Sequence, residues 1–229
     1  MSPRPRPDLA DVAYARLAGE IAGGAIPAGA PLNEREVSIR LGMSRTPLRA
    51  ALHRLALEGL VVTVPNRGTS VAPLDPCDVE DSMAVREALE IAMAERVIAD
   101  HVDVDPAAVD ELLALQQRAI ERLDSPAFLR ADEQFHIHLL AAAGNRRAVE
   151  AAQRSWLHVS RARCVAPITL THMRDALRGH RDIAAALQSR SLPRTRQAIH
   201  DHLDASLRHL LAHQPPANGQ APRRGVTRP

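Results

Sequence analysis

Lysine is absent from this 229-residue chain, so all 29 basic side chains are arginine. Against 27 acidic residues they leave a formal net charge of +2. That balance excludes a polybasic chain and does not by itself establish nucleic-acid binding. Aromatics are almost as scarce, at 2% of the sequence, with one Trp, one Tyr and two Phe. Any core is therefore aliphatic, and a 45% hydrophobic content rich in Ala, Leu, Val and Ile favours closely packed helices over a β-sandwich. The two cysteines, Cys77 and Cys164, lie far apart and form no CxxC. With no signal peptide at the N-terminus, a reducing cytoplasm is the expected compartment. No uninterrupted apolar run reaches the roughly 18 residues of a membrane span, so none is expected. A repeat of fixed period is missing too, which argues against a solenoid.

What is present divides the chain into two halves. Residues 1–8 are rich in Pro and Arg and read as a disordered arm, and 214–229 as a disordered tail. Between them, 9–74 form the first unit. Leu9 to Ala22 is an amphipathic helix closed by Gly23-Gly24, followed by a Pro/Gly loop, "AIPAGAPL". Asn33 opens a second helix, with Glu36 placed to complete a capping box, and that helix ends near Leu41-Gly42. Ser44 caps a third, Pro47 falls in its first turn, and Gly59 ends it. "LVVTV" and "TSVAPL" then alternate as short strands around "PNRG". Three helices and a hairpin in so short a span read as a winged helix-turn-helix.

From 75 to 213 the pattern stays helical. Asp75, Asp105 and Ser125 are N-cap candidates, each followed by proline. Helices are expected at about 76–100, 106–123, 126–143, 146–165, 171–190 and 193–212. The fold class is thus mainly α, a winged helix-turn-helix followed by an antiparallel bundle of about six helices.

In a helix-turn-helix the second helix enters the major groove with its N-terminal residues on the bases. Here that turn is Ser44, Arg45, Thr46 and Arg49, while Leu48, Leu52 and Leu55 form the inward stripe. Arg45 and Arg49 are i, i+4 neighbours, which disfavours an isolated helix by a few tenths of a kcal/mol. Opposite guanine the same residue type is favourable, at about 1–3 kcal/mol of discrimination per bidentate contact. Two solvated arginines would need no partner, but the hairpin that follows carries Arg67 at its tip, within reach of a minor groove.

The stretch "LNEREVSIRLGMSRTPLRAALHRLALEGLVVTVPNRGTSV" resembles the DNA-binding domain of GntR-family bacterial transcription regulators. The resemblance implies that Arg35, Arg45 and Arg49 contact double-stranded DNA, with Thr46 on phosphate or base edges and Gly68 in the wing tip. Ala50 replaces the usual Glu of "REAL", and Pro27 stands one place before the usual "PG", against Ala28-Gly29. Neither departure touches the basic face.

Histidine spacing marks the second half. Asp132 and His136 are one helical turn apart, whereas His138 points about 200° away. His180 and His202 each lie about eleven residues from the turn near Ser191-Leu192, so antiparallel helices bring them to one level. One Asp and three His converging inside a bundle suit a divalent transition metal. Singly, each histidine would ordinarily be a hydrogen-bonded core residue.

Arg86…Leu89-Glu90, Asp132…Phe135-His136…Gly144-Asn145, His180 and His202-Leu203 resemble the FCD effector domain of the FadR subfamily. That resemblance implies Asp132, His136, His180 and His202 as ligands of Zn²⁺, Ni²⁺ or a similar ion, and a small organic acid as effector. It makes Arg86 a candidate clamp for the effector carboxylate. The usual "GD" between the last two helices is Arg190-Ser191 here.

The leading expectation is a cytoplasmic regulator, of repressor type, binding a palindromic operator as a homodimer. One rival is a metal-dependent enzyme using the Asp/His₃ centre, with Glu133 as its free acid or base, though Glu133 is aimed about 100° from Asp132. A second is a regulator whose bundle only dimerises and whose histidines are structural. Arg161, Arg163 and Arg174 are further candidates for an acid pocket, but solvated charges explain them equally. Trp156 is expected to pack between helices and Cys164 to be a buried small hydrophobe.

Overall fold

The computed structural model describes residues 8–213. The expected arm over 1–7 and tail over 214–229 lie outside the described residues, while Asp8 caps the first helix, accepting from Ala10 N at 2.9 Å. The order is α1 (Leu9–Ala22), β1 (Pro31–Leu32), α2 (Glu34–Leu41), α3 (Arg45–Leu57), β2 (Val61–Val64), β3 (Gly68–Val71), α4 (Pro76–Ala99), α5 (Pro106–Glu121), α6 (Ser125–Ala142), α7 (Arg146–Val165), α8 (Leu170–Gln188) and α9 (Leu192–Leu211).

The turn between α2 and α3 sets the angle of the groove-facing helix. Asn33 Oδ1 accepts from Arg35 N at 2.9 Å and Glu36 N at 3.4 Å. Glu36 reaches back to the Asn33 side-chain amide at 3.2 Å rather than to its backbone, so half of the expected capping box forms. Gly42 takes φ +65° and Met43 N reaches Ser38 O at 3.0 Å, a left-handed helix stop that favours glycine. Ser44 occupies the N-cap of α3 with extended backbone, but its side chain makes no cap hydrogen bond. Its exposed hydroxyl is left to solvent or to a ligand.

Leu17, Leu48, Leu55 and Leu60 are fully buried at the centre of this unit. The sheet has order β1-β3-β2, all antiparallel, with Thr63 opposite Thr69 and Val64 opposite Gly68. Strand β1 falls within the stretch whose composition predicts a Pro/Gly loop. It is two residues long, too short to show alternation, and exists because Leu32 pairs with Thr69 far along the chain.

The bundle follows from its caps. Asp75 and Asp105 accept from the N–H two residues on. For α6 the cap is Asp124, which accepts from Ala127 N at 2.9 Å, and not Ser125, which is the first helical residue. The earlier carboxylate wins, and Pro126 still falls in the first turn, where no N–H is needed. Helix α4 packs against α6, α7 and α9, while α8 packs against α5 and α9. Three helix ends, at His101 (φ +53°), Leu123 (φ +56°) and Arg190 (φ +51°), put non-glycine residues in the left-handed region, at a cost of about 1 kcal/mol each.

Helix α7 joins the two units. Leu157 packs on the N-terminal core, and His158 Nε2 donates to Glu58 O at 2.8 Å. Arg161 donates to the Ala72 carbonyl and, at 3.4 Å, to that of Pro73. Cys164 Sγ lies 3.2 Å from Ala22 O; it is exposed, not the buried hydrophobe expected from composition.

Leu55→Ala removes a side chain with no exposed surface and is expected to cost about 2–5 kcal/mol. Denaturant unfolding followed by circular dichroism checks it.

Candidate metal centre and nucleic-acid interface

Asp132, His136, His180 and His202 are all buried and offer one ligand atom each within 4.8 Å of one another. They come from three helices: α6 supplies Asp132 and His136 a turn apart, α8 His180 and α9 His202. The three Nε2 atoms form a near-equilateral triangle, His136 to His180 at 3.0 Å, His180 to His202 at 3.2 Å and His202 to His136 at 3.2 Å. Asp132 Oδ1 stands 3.3 Å from His180 Nε2.

The donor set fits a cation. Imidazole nitrogens held at about 2.0–2.1 Å from one ion stand about 2.8–3.4 Å apart. The opposite ring nitrogens fix the tautomers. His136 Nδ1 meets Glu90 Oε2 at 2.9 Å, and His180 Nδ1 meets Gln116 Oε1 at 2.6 Å. Gln116 is itself oriented by donating to Ala131 O at 3.5 Å. With Nδ1–H donating to oxygen, the two Nε2 atoms present lone pairs to each other, an arrangement that a shared cation favours. Burial holds the His136 imidazole near pKa 4 and His202 well below its usual range, so both are neutral at neutral pH. Asp132 is held ionised against its burial by Arg163, whose Nη1 lies 2.8 Å from Oδ2, and by His180.

Three supporting residues carried no role in the sequence reading. Glu90 links His136 to Arg86, whose Nε donates to Glu90 Oε1 at 2.7 Å. Gln116 has no charge to attract notice. Gly179 lies so close to His202 that a Cβ there would stand 2.7 Å from the imidazole Nδ1. The i, i+4 spacing of Arg86 and Glu90, and glycine inside a helix, were the available signals.

Arg86 is completely buried, with its Cζ 4.0 Å above the Trp156 ring. Its Nη1 and Nη2 have no hydrogen-bond partner among the described residues. A buried guanidinium with two free donors is costly and is suited to a carboxylate. Trp156 packs between helices as expected. Glu133 is half-buried, with its pKa raised by burial. Of the other arginines, Arg163 faces Asp132, Arg161 binds the linker carbonyls and Arg174 is exposed.

In the first unit Arg35, Ser44, Arg45, Thr46, Arg49, Arg67 and Gly68 are all exposed. Arg45 and Arg49 project from the start of α3, and Arg67 from the turn between β2 and β3. Arg49 Nε rests on Glu34 Oε2 at 2.8 Å, a surface pair with 65% of the arginine side chain in solvent. Such pairs are worth about 0–1 kcal/mol, so exchanging Glu34 for a phosphate or guanine costs little.

A winged helix-turn-helix fused to a helical bundle with a buried Asp/His₃ cluster has the architecture of a DNA-binding regulator. Residues 9–71 match the "Bacterial regulatory proteins, gntR family" and residues 81–205 match the FCD domain. The chain belongs to the GntR family, and it is a transcription regulator rather than an enzyme. It is 32% identical over 190 residues to the HTH-type transcriptional repressor RspR of Escherichia coli, covering 83% of each chain. To the probable D-xylose utilization operon transcriptional repressor of Paenarthrobacter nicotinovorans it is 30% identical over 188 residues, 82% of each. The structure of E. coli McbR/YncC shares the fold, with TM-score 0.78 at 20% identity over 90% of this chain and 99% of that one. No helix among the described residues is long and apolar enough to cross a membrane.

A second histidine group stacks His172 on His209, ring centroids 3.8 Å apart, with His213 beyond at 4.9 Å from His209. Burial, then His209 and Arg163, lower the His172 pKa from 6.5 to about 4. The unfolded chain therefore takes up this proton as pH falls below 6.5 while the folded one does not until about 4. Stability is lost across that window on acidification. His172→Phe is expected to flatten the pH dependence of unfolding free energy there, measured by urea titration against wild type; an unchanged slope would exclude this origin.

Proposed function

We propose that the chain is a metabolite-responsive repressor that works in the cytoplasm and binds a palindromic operator as a homodimer. Residues 9–74 serve as its DNA-binding unit and 75–213 as its sensing and dimerisation unit. On the DNA side Arg45, Arg49, Thr46 and Ser44 read the major groove, Arg35 adds a phosphate contact and the Arg67-Gly68 tip enters the minor groove. One winged domain makes few contacts, and two-fold symmetry doubles them. The relatives named as repressors support the sign of regulation.

In the bundle, Asp132, His136, His180 and His202 would hold a divalent transition ion such as Zn²⁺ or Ni²⁺, which supplies a Lewis-acid seat for a small organic acid. The observation that carries the effector reading is Arg86, buried with two free donors and tied through Glu90 to His136. An acid clamped there regulates only if it binds two arrangements of the protein unequally. Helix α7 is suited to couple them: Trp156 lies under Arg86 and Arg163 beside Asp132, while Leu157, His158 and Arg161 grip the N-terminal unit.

Two measurements test the division of labour. Arg49→Ala is expected to weaken operator binding at least about tenfold, by fluorescence anisotropy at fixed salt, and to leave acid binding unchanged; loss of both would refute it. His180→Ala with His202→Ala is expected to abolish metal content by elemental analysis. Unchanged stoichiometry would count against these residues as the ligands, whereas wild-type protein with no bound metal and no acid-induced thermal shift would favour a bundle that only dimerises.

A further inference from the structure

A cavity of about 180 Å³ opens at the end of the bundle far from the N-terminal unit, between the C-terminal ends of α4 and α8 and the start of α5. Its walls are Val97, Val104, Leu139, Ala184 and Leu187, and its rim carries Asp103 and Arg190. A smaller extension shares four of these walls and reaches Glu90. Helix arithmetic places it relative to the imidazoles. Leu139 follows His136 by three residues and Ala184 follows His180 by four, so the cavity lies one turn beyond the imidazole layer. Arg86 precedes Glu90 by four residues, one turn to the other side. The main cavity and Arg86 therefore lie on opposite sides of the imidazole layer, and only the smaller extension touches that layer, at Glu90.

We propose that this distal cavity is a second ligand site, taking a short aliphatic monocarboxylate with its chain among the valines and leucines and its carboxylate on Arg190. The size sets the chain. An apolar cavity of about 150 Å³ holds a six-carbon ring, and drug-sized sites begin at roughly 300 Å³. The rim sets the head group. Arg190 adopts φ +51°, where glycine would be unstrained, and so projects a guanidinium from the turn between α8 and α9. Its Nη2 holds Asp103 Oδ1 at 2.8 Å, and its Nη1 lies 3.3 Å from His101 Nδ1. Asp103 is 91% exposed and Arg190 41%, so the acid is a surface partner that a ligand carboxylate displaces cheaply. An amine meeting Asp103 would remain in water.

Calorimetric titration of zinc-loaded full-length protein with butanoate, hexanoate, hexan-1-ol and hexylamine tests this. Hexanoate is expected to bind about fifteenfold more tightly than butanoate, since each buried methylene contributes about fourfold. Arg190→Gly suits the left-handed turn and keeps the fold; it is expected to weaken hexanoate about tenfold and leave hexan-1-ol unchanged. Ala184→Leu, which fills the cavity, is expected to lose both. Arg86→Gln is expected to leave hexanoate binding intact even if it abolishes the effector site. No binding of hexanoate to wild type, a preference for hexylamine, or loss in Arg86→Gln but not in Arg190→Gly would each overturn the proposal.

Discussion

Three imidazole nitrogens brought to within 3.0–3.2 Å of one another inside a bundle are the constraint on which the second half of this protein turns. Neutral rings with their lone pairs converging repel, and protonated rings would bury charge, so neither filling is comfortable without a shared cation. The surroundings are built around that convergence. Glu90 and Gln116 hold two of the rings from behind, Gly179 yields space for the third, and Arg163 keeps Asp132 ionised. Phe135 fills the remaining room, its ring centroid 4.6 Å from that of His180.

The same geometry bears on regulation. Helix α7 has Trp156 and Arg163 turned toward the cluster and Leu157, His158 and Arg161 turned toward the N-terminal unit. In the proposed homodimer, a shift of this one element would move the exposed arginines of α3 relative to those of the second copy. Whether any ligand drives such a shift is a matter of differential affinity for the two positions, and no more than that is required.

Much of this arrangement is legible in the chain because helices obey one period. The spacing of Asp132 and His136, and the equal distances of His180 and His202 from their turn, placed four side chains together without any knowledge of packing. Caps and prolines marked the helices closely, although Asp124 rather than Ser125 starts α6. What escaped depends on contacts distant in sequence. Strand β1 exists only through pairing with β3. Gln116 is an ordinary amide until α5 packs on α8 and sets it against His180. The placement of Cys164 likewise depends on how α7 meets the end of α1, where its thiol approaches the Ala22 carbonyl at the surface.

X-ray absorption spectroscopy of the zinc-loaded protein tests the central claim most directly. The account predicts a first shell of three imidazole nitrogens near 2.0–2.1 Å with a carboxylate oxygen at similar distance, and no sulfur. A shell with one imidazole or none, or with sulfur from Cys77 or Cys164, would contradict it.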